Sequence, residues 1–231
     1  MKYKSLFIDL DDTLWDTDAN MRQSLSELYE QHQMGKYFDS FEQFDRLYTP
    51  HNHNLWSQYH QGEIKKEFLM AERFVYPFSQ VGYDIDRVYA RQLNDEFMLN
   101  TTTKTKLVSG AIELLDYLAV NYKMYILSNG FEEVQYKKLA NSGIDKYFDK
   151  VILSDQVGYN KPHPKIFDFA LKSTSSRKKE SIMIGDNFDT DITGAKNSNM
   201  DQIFFNNIGE YNIKFDPTYT VCKLQEIHDI L

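Results

Sequence analysis

The sequence predicts an α/β fold on a mostly parallel sheet, with an all-helical segment inserted after the first strand. Three observations carry this reading. From about residue 110 onward, short apolar runs alternate with segments of helical period, the pattern of strands joined by crossover helices. Residues 16–103 show helical spacing alone. The run Leu6-Phe7-Ile8 reads as a buried strand with no neighbour in sequence to pair with, so it belongs in the later sheet. The chain therefore divides into a sheet domain, 1–15 plus 104–231, and a helical domain, 16–103.

In the inserted segment, residues 18 to 35 carry Met21, Leu25, Leu28 and Tyr29 at helical spacing, with Asp18 as N-cap and Gly35 as stop. Further helices are expected over Asp39–Tyr48, Asn54–Tyr59, Lys65–Tyr76 (stopped by Pro77) and Asp84–Leu99. Beyond it, helices are expected at Gly110–Val120, Phe131–Asn141, Pro164–Lys172 and Asp189–Asn197, and strands at Lys123–Leu127, Lys150–Leu153, Glu180–Ile184 and Asp201–Phe205. A last strand at Tyr219–Val221 precedes a C-terminal helix. Arg177-Lys178-Lys179 reads as a solvated loop.

Bulk properties narrow the function. A net charge of -8 over 231 residues argues against a nucleic-acid polymer or an anionic membrane as partner, and leaves a small anionic ligand open. No run approaches the ~20 apolar residues of a membrane span, and Asp9 cuts the N-terminal apolar run short of a signal-peptide core. The single cysteine, Cys222, sits in an apolar run and is expected to be buried filler, so a reducing cytoplasm fits.

Ligands of open parallel sheets bind outside the carboxyl ends of strands, and four expected strand ends carry unusual chemistry. After Ile8 come Asp9, Asp11 and Asp12. Asp9 and Asp11, two apart on extended backbone, point the same way and can share a metal and a substrate; the alternative is an Asp-rich turn. Ser128-Asn129-Gly130 offers a hydroxyl, an amide and open backbone before a helix, an anion site or an ordinary cap. In Lys161-Pro162-His163-Pro164 the prolines stiffen the loop and fix where Lys161 points, with His163 structural. Gly185 to Asp191 places Asp186 at a strand end and Asp191 in the first helical turn, where a carboxylate is favourable in any case.

In this order and placement, the four stretches resemble the motifs of the haloacid dehalogenase-like hydrolase superfamily. Leu55 to Ile64, Ser128 to Phe131 and Lys161 to Phe167 look like its pyrimidine 5'-nucleotidase branch. The resemblance implies a Rossmann-like core with a helical cap, and a phosphatase that forms an aspartyl-phosphate. It implies Asp9 as nucleophile, Asp11 as general acid and then base, and Ser128, Asn129, Gly130 and Lys161 around the phosphoryl group. It also implies Mg²⁺ held by the Asp9 carboxylate, the Asp11 carbonyl and Asp186, with Asp191 bound to it or just behind. The expected substrate is a small phosphorylated metabolite, a pyrimidine nucleoside monophosphate, handled by a monomer or homodimer. A sugar-phosphate phosphatase or phosphomutase would share the core, and a non-enzymatic phosphate-binding module is the alternative of another class. Of the inserted aromatics, Tyr48, Phe68, Phe74 and Tyr76 are expected to be mostly core, and Trp56 and Tyr59, on one helix face, are candidates for stacking on a base. His51, His53 and His60, with amide and aromatic neighbours and no cysteine, read as polar surface rather than a zinc site.

Overall fold

The computed structural model describes residues 2–207, 209 and 213–231. The described residues form two compact units, Met1–Thr17 with Thr105–Leu231, and Asp18–Lys104.

The first unit is a six-stranded, all-parallel sheet in the order β3-β2-β1-β4-β5-β6. Its strands are β1 (Ser5–Ile8), β2 (Lys123–Ser128), β3 (Lys150–Leu153), β4 (Ser181–Gly185), β5 (Asp201–Phe205) and β6 (Tyr219–Val221). The strand alternation sorts side chains onto two faces. Leu6, Ile8, Met124, Ile126, Ile182 and Ile184 pack with Leu114, Leu115 and Leu118 of α5 (Ala111–Leu118). Phe7, Tyr125, Leu127 and Met183 pack on the opposite side with Ile166, Phe167 and Ala170 of α8 (Pro164–Ser173). Both faces are covered, which is why the strands read as continuous apolar runs rather than alternating ones. Strand order reverses direction between β1 and β4, so their carboxyl ends flank the crevice where such sheets take ligands.

The second unit contains α1 (Thr17–Gln31, from Asp18 on), α2 (Phe41–His60), α3 (Lys66–Gln80) and α4 (Arg87–Thr102). Its core is aromatic: Phe38, Phe44, Tyr48, Phe74, Phe78 and Phe97 are all buried, with ring centroids 5.0–5.9 Å apart between neighbours. The two helices expected over Asp39–Tyr48 and Asn54–Tyr59 are one, and α2 runs straight through Pro50. Likewise α3 continues past Pro77 to Gln80. An interior proline costs about 3 kcal/mol, but Pro77 lies between buried Phe74 and Phe78, whose packing holds the helix together.

Other expectations are corrected. Cys222 is exposed: in β6 it is Val221 that turns inward. The C-terminal helix is a 3-10 segment, Leu224–Asp229, and Arg177-Lys178-Lys179 leads into a 3-10 turn at Lys178–Glu180. The helix expected from Asp189 begins as a π-helical turn, Phe188–Ile192, before α9 (Thr193–Asn197). Between β2 and α8 lie α6 (Glu132–Asn141) and a short α7 (Ser154–Val157). Among the described residues no helix is long and apolar enough to cross a membrane.

Candidate active site

The chain leaves β1 through a tight turn that sets three carboxylates in different surroundings. The amides of Leu14 and Trp15 both donate to the Leu10 carbonyl at 2.9 Å, and Asp12 adopts a left-handed backbone (φ 59°). Asp12 and Thr17 cap one another, each backbone N–H donating to the other's side chain at 3.0 and 3.1 Å. Asp12 is thereby a structural residue. Asp9 is pinned by its amide to the Ile184 carbonyl at 2.9 Å, which holds the ends of β1 and β4 together.

Lys161 is the centre of the site and is only 2% exposed. Its ammonium lies 2.7 Å from Asp9 Oδ1, 2.6 Å from Asp191 Oδ1 and 2.7 Å from the Leu127 carbonyl. Asn129 aims it: the Asn129 side chain accepts from the Lys161 amide at 2.7 Å and donates to the Lys161 carbonyl at 3.0 Å. This engages one hydrogen and the oxygen of the Asn129 amide group, which the sequence suggested for a ligand, and leaves its second hydrogen and its backbone for that purpose. Asp186 is fixed by Thr13, whose hydroxyl bonds its carboxylate and its amide at 3.0 Å each. Nothing in the sequence singled out Thr13; a hydroxyl four residues after the leading aspartate was the available signal. Gly185 is required locally, because a Cβ there would come within 2.3 Å of Asp191 Oδ2.

Asp9, Asp186 and Asp191 each present a carboxylate oxygen within 4.8 Å of the others. Asp9 and Asp191 share one ammonium, with Asp186 beside them, so three ionised carboxylates would carry two charges more than it offsets. Burial and the facing carboxylates of Asp9, Asp191 and Asp12 accordingly push Asp186 well above the ordinary carboxylate value. Burial works against the charge on Lys161, but Asp191 and Asp9 outweigh it and raise its pKa. Such a set of hard oxygen donors with surplus negative charge suits a divalent cation of the Mg²⁺ type.

Asp11 stands apart from that cluster. Its Oδ1 is 2.6 Å from the Lys138 ammonium and its Oδ2 is 2.7 Å from Gln135 Nε2. Burial pushes its carboxyl up, but Lys138 and Gln135 outweigh burial and hold it below the usual range. Ser128 is 1% exposed, and its oxygen already accepts from the Gly130 amide at 3.0 Å and from Gln135 Nε2 at 2.8 Å. A hydroxyl has two lone pairs and one hydrogen, so Ser128 keeps a donor to offer, the group a phosphoryl oxygen wants.

The structure thus brings Asp9, Asp186, Asp191 and Lys161 into one cluster and links Asp11 to Ser128 through Gln135. Trp56 and Tyr59 lie in the helical unit on α2, half-buried, their rings 5.7 Å apart at 84°. Of the other inserted aromatics, Tyr48 and Phe74 are buried, Tyr76 stacks on His51 at 3.9 Å, and Phe68 is 39% exposed.

A parallel sheet with carboxylates and a buried lysine at its central strand ends forms a site suited to a divalent cation and an anionic ligand. The model of the haloacid dehalogenase-like hydrolase family matches residues 6–205, and the chain belongs to that family. Among its relatives, the pyrimidine 5'-nucleotidase PynA of Streptococcus pneumoniae is 32% identical, over 100% of this chain and 96% of the relative. A glyceraldehyde 3-phosphate phosphatase of Pyrococcus furiosus is 31% identical over 100% of this chain and 93% of its own length. The magnesium-bound crystal structure of the hydrolase YfnB from Bacillus subtilis superposes with a TM-score of 0.90 at 26% identity, covering 100% of this chain and 99% of that one.

Proposed function

We propose that this hydrolase is a Mg²⁺-dependent phosphatase working through an aspartyl-phosphate, with pyrimidine nucleoside monophosphates as substrates. The observation that carries the reaction type is the grouping of three carboxylates, Asp9, Asp186 and Asp191, about the single ammonium of Lys161, beside a hydroxyl left with only a donor. The Asp9 carboxylate, the Asp11 carbonyl and Asp186 would hold the metal, with Asp191 on it or one step behind; when bound, the ion neutralises phosphoryl oxygens and keeps Asp9 ionised. Asp9 attacks phosphorus, forming the acyl phosphate as the bond to the leaving alkoxide breaks. Asp11 must be protonated to give that alkoxide a proton, a form its ion pair with Lys138 disfavours in the free enzyme. As the carboxylate it then takes one from the water that opens the acyl phosphate, which restores the acid for the next turnover. Lys161, Ser128 and the Asn129 backbone stabilise the charge on the phosphoryl oxygens, with Gly130, whose amide bonds Ser128 Oγ, leaving the approach open.

The substrate class rests on the likeness to PynA and on Trp56 and Tyr59, two partly exposed rings able to stack on a planar base. The likeness to the Pyrococcus furiosus enzyme supports a second reading, a phosphatase for small sugar phosphates. Turnover of UMP, AMP, glyceraldehyde 3-phosphate and p-nitrophenyl phosphate, each with Mg²⁺ and with chelator, separates the two. Pyrimidine nucleotides should lead, chelator should silence all substrates, and Asp9→Asn should remove turnover. Trp56→Ala should raise KM for UMP far more than for p-nitrophenyl phosphate. Activity of Asp9→Asn within tenfold of wild type would sink the mechanism, and preference for the triose phosphate would select the second reading.

A further inference from the structure

We infer that Gln135 and Lys138 are positioning residues that hold the Asp11 carboxylate in place and tie it to the phosphoryl-binding hydroxyl; the inference rests on the phosphatase reading. Both residues come from α6, one helical turn apart, and both are buried, at 0% and 7% exposure. Lys138 is itself fixed from a second side, its ammonium 4.0 Å from the centroid of the Trp15 ring. Asp11 is therefore gripped at both oxygens, by a cation at 2.6 Å and an amide at 2.7 Å.

Gln135 does more than hold. An amide nitrogen has two hydrogens, and one goes to Asp11 Oδ2 at 2.7 Å and the other to Ser128 Oγ at 2.8 Å. Among the described residues its own oxygen is buried without a partner. An orphaned buried acceptor is costly, and turning the amide over would satisfy it only by setting oxygen against the Asp11 carboxylate. The orientation is thus dictated by Asp11. In that orientation Gln135 occupies a lone pair of Ser128 and leaves the serine hydrogen for a phosphoryl oxygen. Gly130 makes room for it, since a Cβ there would lie 2.1 Å from Gln135 Nε2. One side chain therefore sets both the phosphoryl-facing hydroxyl and the carboxylate that handles protons.

Leaving-group dependence separates positioning from mere structural support. The quantity kcat/KM reports events up to formation of the phosphoenzyme. That step needs a proton donor for the alkoxide of a nucleotide and far less for p-nitrophenolate. Lys138→Met should lower kcat/KM for UMP by about 10- to 100-fold, the scale of a misplaced catalytic group, with a loss about tenfold smaller on p-nitrophenyl phosphate. It should add nothing further in the Asp11→Asn background, and Lys138→Arg should recover most of the lost activity. Gln135→Leu should show the same split and, unlike Lys138→Met, also raise Ki for inorganic phosphate. Equal fractional losses on both substrates, or full additivity with Asp11→Asn, would overturn the assignment, as would an unchanged phosphate Ki in Gln135→Leu. A wild type that turns over neither substrate marks a different failure, that of the phosphatase reading, and removes this inference with it.

Discussion

Lys161 in the sheet unit and Arg73 in the helical unit are both sealed from solvent, at 2% and 1% exposure, yet their charges are met in opposite ways. Lys161 has two carboxylates within 2.7 Å and a third close by. Arg73 has no carboxylate at ion-pair distance among the described residues. Its Nε and Nη2 both donate to Asn94 Oδ1, and its guanidinium lies 4.9 and 5.9 Å from the ring centres of Phe97 and Phe74. Burial pulls the Arg73 pKa below the ordinary arginine value, with the neighbouring Tyr48 and Asp95 acting the other way. A delocalised, weakly hydrated guanidinium tolerates such neutral company where an ammonium does not. The difference separates two uses of buried charge. In the helical unit the cation satisfies packing. In the sheet unit charge is overloaded on the negative side, a state that costs stability and is retained where a ligand completes it.

The contrast can be broken by substitution. Lys161→Met leaves Asp9 and Asp191 facing one another unpaired and should destabilise the metal-free protein by about 3–5 kcal/mol; Mg²⁺ should restore part of it, as read by thermal melts with and without the ion. Arg73→Met orphans no carboxylate, only the Asn94 oxygen, and should cost about 1–3 kcal/mol. A loss matching that of Lys161→Met would show that Arg73 answers a negative charge after all. The surface pair calibrates the low end. Lys2 and Tyr3 bond Asp201 Oδ2 at 2.5 and 2.7 Å, with the Lys2 side chain 60% exposed. Asp201→Asn should cost under about 1 kcal/mol at neutral pH. Partial burial pushes the Asp201 carboxyl up, but the bonds from Lys2 and Tyr3 outweigh it and hold it below the ordinary value. The unfolded chain then binds its proton more readily, so the contribution is fully present above about pH 4 and fades as pH falls through the lower folded value. The melting difference between wild type and Asp201→Asn should therefore vanish at strongly acid pH and shrink in high salt.

How much of this was legible depends on which physics decides each element. The central strands are buried on both faces and read as apolar runs, and the edge strands Lys150–Leu153 and Tyr219–Val221, like Asp201–Phe205, are also found as expected. Helix ends at Tyr48 and Tyr76 were misplaced because local propensity was read and aromatic packing across α2, α3 and α4 prevailed. Cys222 was misplaced because a three-residue strand with one inward position carries no readable alternation. Asp9, Asp11 and Asp186 were legible because carboxylates at the end of apolar runs demand an explanation. Lys161 was legible because prolines follow it, and Asp191 because it falls in the helix start after Asp186. Thr13, Gln135 and Lys138 were not: each is an unremarkable residue in a turn or helix whose partner lies 124 to 173 positions away.

The pairing of the two stretches that frame the insertion has a consequence for how this chain can change. Trp15 bridges to Leu107, and the Val108 amide donates to the Leu14 carbonyl at 2.9 Å, so the segment leaving the sheet unit and the segment returning to it run side by side. To the sheet, everything from Asp18 to Lys104 is therefore a loop whose ends already touch. The entropy of closing a loop grows only with the logarithm of its length, about 0.6 kcal/mol for each doubling. The helical unit can lengthen, shorten or be exchanged at little cost to the sheet. The insertion can change while the strand ends keep their chemistry.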